Sequence, residues 1–277
     1  MPFDMIPADL DFDVAFEDTK FDGKKYVLNQ DTGEYLGVVG KDFTCASHGD
    51  FFRNVVDTAT NELGEDQLAN ANYNFQSARG GAWAMLDITL PSMKSVIETD
   101  RHQTEVKNRI ISLHGIDGSC SNQVFFGAID SFCTNGCISG EHDKVRRKNT
   151  SNFSLSSFIN ELSNLRSDFY EQAIKMKTWA QTSLKDVDVE ALLEAMIPSE
   201  RKAKKMYELY RTETCMRGEN KWALYSAFTN FSSHQGEDNG FALRKTGNDT
   251  QAKSMWDREQ EVAKWTSTPQ FRQLVAA

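Results

Sequence analysis

The chain has 277 residues, 39% of them hydrophobic and 26% charged, with a formal net charge of −9. That is enough apolar content to bury a core, which excludes a disordered chain, and no apolar run approaches the length of about 18 residues that a membrane-spanning helix needs. Seven acids and one base among residues 1–22 account for −6 of the charge, leaving −3 for the remainder, so a local basic surface is compatible with the overall sign.

In chain order, residues 1–22 read as an acidic extended arm with scattered apolar anchors, and their acidity is unlike a signal or transit peptide. Lys25–Asn29 and Tyr35–Val39 flank Gln-Asp-Thr-Gly and predict a hairpin with Gly33 at positive φ. The spacing of Phe51, Phe52, Val55, Val56, Ala59 and Leu63 predicts a helix, capped by Asp50 and ended by Gly64. Strands are expected at Asn72–Ser77, Ala82–Leu90 (ended by Pro91), Lys107–Gly115 and Gln123–Phe132. A long antiparallel hairpin spans Ala82–Leu113, with its tip within Glu98–Glu105.

After Gly140 the hydrophobic period changes to that of helices. Leu155 to Met176 predicts a long helix capped by Ser151 or Ser154. Val187–Ile197 predicts a second, and a third runs from a Ser199 cap to Arg211. Trp222–Phe231 and Ser254–Trp265 complete the set. The expected class is α+β: a hairpin-rich antiparallel sheet first and helices second. The expected organisation is an acidic arm (1–22), a β-rich core domain (23–150) and a helical region packed on it (151–277).

The window Arg109–Lys148 concentrates most of the reactive side chains. Cys133 and Cys137, with His114 and His142 nearby, are zinc-ligand types, but one Cys-x3-Cys without a second pair falls short of a zinc motif. Cys120 or Cys133 beside His114 gives no spacing that defines a nucleophile and its base. His114-Gly-Ile-Asp117-Gly-Ser119 lacks the Gly-Lys-Ser/Thr ending of a phosphate loop and reads as a turn. No catalytic set emerges, so the expectation is a protein that is not an enzyme and needs no cofactor or metal. The five cysteines are expected to be free thiols.

Positive charge is the remaining signal. Arg79, Lys107, Arg109, Lys144, Arg146, Arg147 and Lys148 are the residue types a phosphate backbone requires, and are the expected nucleic-acid contacts. Trp83, Phe125, Phe126 and Phe132 are candidates for base stacking, though aromatic residues in strands more often build the core. Arg201–Lys205 reads as a solvated helix face.

Five segments stand out in order: Tyr26-Val-Leu-Asn with Leu36-Gly-Val-Val, Gly80-Gly-Ala-Trp83, His114-Gly-Ile-Asp-Gly-Ser119, Phe132-Cys-Thr-Asn135 and the Lys221–His234 stretch. Their order resembles the phage/plasmid-like domain-of-unknown-function family numbered 932. Two positions depart from the pattern: Asp130 stands where that family often carries Arg, and Gly136 where Thr is common. The resemblance implies a bacteriophage or other mobile-element protein. A more distant architectural likeness, to phage single-strand annealing recombinases, implies a homo-oligomer, even a ring, that holds single-stranded DNA by its phosphates. The expected function is therefore single-stranded-DNA binding and annealing in recombination or replication, in the cytoplasm of an infected host and away from membranes. The alternative is an acidic phage protein that binds and inhibits a host defence or transcription protein through residues 1–22.

Overall fold

The computed structural model describes residues 6–130, 136–138, 144–149, 165–234 and 251–275. A small sheet comes first: β1 (Val14–Asp18), β2 (Lys24–Asn29) and β3 (Tyr35–Gly40), antiparallel and in that order. The β2–β3 turn has the expected chemistry. Asn29 Oδ1 accepts from the amides of Asp31 and Thr32, and Gly33 takes φ +71°. The N-terminal segment is not an extended arm along its described length. β1 pairs with β2 over its five residues, and Leu10 and Phe12 are buried. Alternating acids had hidden a strand whose apolar partners come from elsewhere in the chain.

Helix α1 (His48–Leu63) starts two residues before Asp50. Ser47 is its cap, the hydroxyl accepting from the Asp50 amide, and Asp50 occupies the first turn, where its charge faces the helix dipole. Gly64 ends it at φ +101°, and a short α2 (Glu65–Ala69) follows.

The large sheet contains β4 (Asn72–Ala78), β5 (Trp83–Glu98), β6 (Gln103–Gly115), β7 (Asn122–Asp130) and β8 (Gly136–Ile138) in that order. β9 (Lys144–Arg147) pairs with β7 beside β8. The β5–β6 hairpin is longer than the sequence suggests, because Pro91 does not end β5. Leu90 is paired with Asn108 and Lys94 with Lys107, so residues 91–93 form a bulge. Proline lacks a ladder donor, and the bulge is where a missing donor is tolerated.

Strand alternation sorts the sheet into two faces. Ala84, Leu86, Ile88, Ile110 and Val124 pack against Phe51, Phe52 and Val55 of α1. Trp83, Met85, Ile111, Leu113 and Phe125 form a cluster of their own. Helices follow: α3 (Leu165–Gln181), α4 (Val189–Met196), α5 (Glu200–Arg217), α6 (Lys221–His234), α7 (Gln251–Thr266) and α8 (Pro269–Arg272). Asp188 and Ser199 cap α4 and α5 through the amides of Ala191 and Lys202. The proposed caps Ser151 and Ser154 lie outside the described residues. α6 is buried along most of its length, at the centre of a second core with Met206, Leu193, Trp265 and Phe271. Ile97, Val106 and Ala128 of the large sheet belong to this second core. The architecture is α+β, as the periodicities imply.

Candidate functional site

Most of the basic run 144–148 is a strand. β9 pairs antiparallel with β7, setting Arg147 opposite Asn122, Arg146 opposite Gln123 and Lys144 opposite Phe125. Three cations, Lys144, Arg146 and Arg147, are thereby fixed to a sheet, and Lys148 is exposed just beyond the strand end. Behind it, the buried Asn149 anchors the chain: its side-chain amide donates to Gly115 O at 2.7 Å, and its Oδ1 accepts from Asn122. Lys107 is partly exposed on the hairpin, with Glu105 4.0 Å away and itself bound by Lys94 at 2.7 Å.

Arg109 is the correction among the expected phosphate contacts. Its side chain is only 4% exposed and lies between two carboxylates, Asp87 Oδ2 at 3.0 Å and Glu259 Oε1 at 2.7 Å. A guanidinium already neutralised in the interior presents no charge to a phosphate outside. Glu259 is buried as well, and desolvation pushes its carboxyl pKa up although Arg109 pulls it down. The triad instead fastens α7 to the large sheet, and neither Asp87 nor Glu259 carries any local motif that would have revealed it. Trp83 and Phe125 are core residues at 1% and 2% exposure, which removes both from base stacking. Cys133, Phe132 and His142 lie outside the described residues, and Cys137 falls in β8.

Arg79 opens a short turn, Arg79–Gly81, in which all three residues have positive φ. For Arg79 (φ +57°) this left-handed backbone costs about 1 kcal/mol or more. It is held by an ion pair to Asp117 at 3.1 Å and by the Ala82 amide donating to Arg79 O. Asp117 Oδ1 also accepts from the Ser119 amide, the turn role its Asp-Gly-Ser setting implies. The β3 strand presses on the same turn: a Cβ on Gly37 would lie 2.9 Å from Asp117 Cβ, so only glycine fits.

Beneath this turn sits a pair that the sequence does not disclose. His48 and His114 are fully buried, their Nδ1 atoms 2.8 Å apart, and His48 Nε2 faces Gly81 O at 2.8 Å. A carbonyl only accepts, so His48 carries its proton on Nε2, and His114 Nδ1–H donates to the bare Nδ1 of His48. His114 Nε2 is left buried with no hydrogen-bond partner among the described residues. Phe51 stacks on His114 with centroids 4.5 Å apart. Burial lowers the His48 pKa to about 4, and burial with the neighbouring ring lowers that of His114 well below the usual imidazole value. Both rings are neutral at ordinary pH. They lock the start of α1 to the Arg79–Gly81 turn and the end of β6. Each histidine looks unremarkable alone, and only the fold joins positions 66 residues apart.

Residues 201–205 behave as a solvated helix face: Lys202, Lys204 and Lys205 pair with Glu261, Glu200 and Glu208, and Ala203 faces the core. Among the described residues no helix is long and apolar enough to cross a membrane.

No curated protein and no solved structure matches the chain. Residues 35–264 match the family described as Domain of unknown function (DUF932), a span that takes in β3, the Arg79–Gly81 turn, the histidine pair and β9. The chain therefore belongs to the DUF932 family.

Proposed function

We propose that this protein is a phage single-stranded-DNA-binding and annealing protein, working as a homo-oligomer in recombination or replication. The observation that carries the reading is the basic strand β9, whose Lys144, Arg146 and Arg147 are spaced along a sheet, with Lys148 exposed beyond it. Cations held on a rigid scaffold track a phosphate backbone with less ordering cost than the same charges on a free loop. Lys107 extends the set, Arg79 reaches the surface while paired to Asp117, and Arg109 leaves it. Annealing two strands requires no general acid or base, which fits a chain whose buried histidines serve its architecture.

The test is fluorescence anisotropy with a labelled single-stranded oligonucleotide across a salt series. Binding at low salt is expected, and it should weaken steeply as salt rises. In the quadruple variant Lys144→Gln, Arg146→Gln, Arg147→Gln, Lys148→Gln the slope of log K against log salt should fall by about 3, from about 0.7 per phosphate contact. Undetectable binding at low salt, or an unchanged slope in the variant, overturns the reading.

A further inference from the structure

The small β1–β3 sheet has an inner and an outer face. Val27 and Val39 are buried on the inner one, and Gly37 presses there on Asp117. The register places Glu17, Tyr26 and Val38 side by side on the outer face, and Tyr35 follows opposite Leu28 on the same side. Tyr35 is 61% exposed, Val38 53%, and Phe21 in the adjoining turn 69%. An apolar group of this kind on a charged protein marks a contact surface. The two tyrosine rings meet edge to face at 4.9 Å, and the Tyr35 hydroxyl donates to Glu17 Oε2 at 3.2 Å, so the group is organised before any partner arrives.

The charge around it selects the partner. Glu17, Asp18, Asp22, Asp31 and Glu34 are all exposed on these strands and their turns, and they outnumber Lys20, Lys24 and Lys25. The resulting charge of −2 over residues 14–40 disfavours a phosphate backbone there. Arginine and lysine gain twice, from the carboxylates and from the negative faces of Tyr26 and Tyr35. We infer that the outer face of the β1–β3 sheet docks an arginine/lysine-rich segment of a protein partner. This surface is separate from the basic strand β9 and does not depend on the DNA-binding reading.

The probe is a short fluorescein-labelled Arg-Gly repeat peptide, with a Glu-Gly repeat as control, titrated against the full chain. The wild type should bind the cationic peptide and not the anionic one. The double variant Glu17→Gln, Tyr35→Ala should bind about tenfold more weakly. Asp57→Asn, which removes one exposed carboxylate from α1, should bind as the wild type does. Both changes fall on exposed side chains, and an unchanged unfolding midpoint would show the fold intact. Equal affinity in all three proteins, or no binding at all, overturns the proposal. So does self-association lost in the double variant, which would make a second copy the occupant. Oligonucleotide affinity of the double variant should be unchanged, so failure of either proposal is visible separately.

Discussion

Acid should loosen the joint between α1 and the large sheet, and the histidine pair sets the size of the effect. His48 has a folded-state pKa of about 4 against an ordinary 6.5. The folded protein therefore holds fewer protons than the unfolded chain between those values. Stability is complete above about pH 6.5 and is lost as pH falls toward about 4. For His48 alone the loss comes to about 2 kcal/mol between about pH 7.5 and about pH 5, and about 3 kcal/mol once below its folded pKa. His114, lowered by the same burial and by its neighbour, adds to the loss with the same sign. A proton cannot simply be added to the pair. It would place a second N–H in the 2.8 Å gap between the two Nδ1 atoms or charge the buried His114 Nε2. Asp117 offers His48 only partial relief, because Arg79 already engages it. Urea unfolding followed by tryptophan fluorescence at both pH values measures the slope. The double variant His48→Leu, His114→Leu should be less stable at about pH 7.5, having lost the bond to Gly81, yet clearly flatter with pH. The two proteins differ only at these two rings, so equal slopes would refute the assignment.

Two other outcomes follow from packing and charge. Arg109→Met leaves the buried Glu259 and the partly buried Asp87 beside an apolar side chain and should cost about 3–5 kcal/mol in urea unfolding. Adding Glu259→Met should recover much of that, and a stable single variant would contradict the buried triad. A Cβ at Gly115 would lie 2.5 Å from Cys120 Sγ. Gly115→Ala should therefore lower stability by about 1–3 kcal/mol. Cys120→Ala in the same chain should relieve it, and a shift in thermal midpoint that is no smaller in the double variant would argue against the clash.

What the sequence discloses here follows from how far each interaction reaches. Gly33 and Gly64 donate their own amides to carbonyls four residues back, and Ser199 accepts from an amide three residues ahead, and such local chemistry is readable. The Ser47 cap was open to the same logic, since Ser47 and Asp50 both satisfy the N-cap preference and only the helix start decides between them. β1 was obscured because its acids break the apolar alternation while β2 supplies the pairing. Pro91 stops most strands, and nothing local announces that a bulge will absorb it. The candidate site was legible as charge and not as placement. The run Lys144–Lys148 is plain in the sequence, but Arg109 looks the same whether it faces water or Glu259, which lies 150 positions away.

The β5–β6 hairpin runs through two interiors. Its near half carries Leu86 and Ile110 into the core under α1, and beyond the bulge its far half carries Ile97 and Val106 into the core around α6. On a ribosome the near half can close as soon as β6 emerges, since α1 is already made. The far half must wait for helices encoded more than a hundred residues later. During that interval the nascent chain presents an uncovered apolar tip, whose distal rungs should be the last to gain protection from hydrogen exchange.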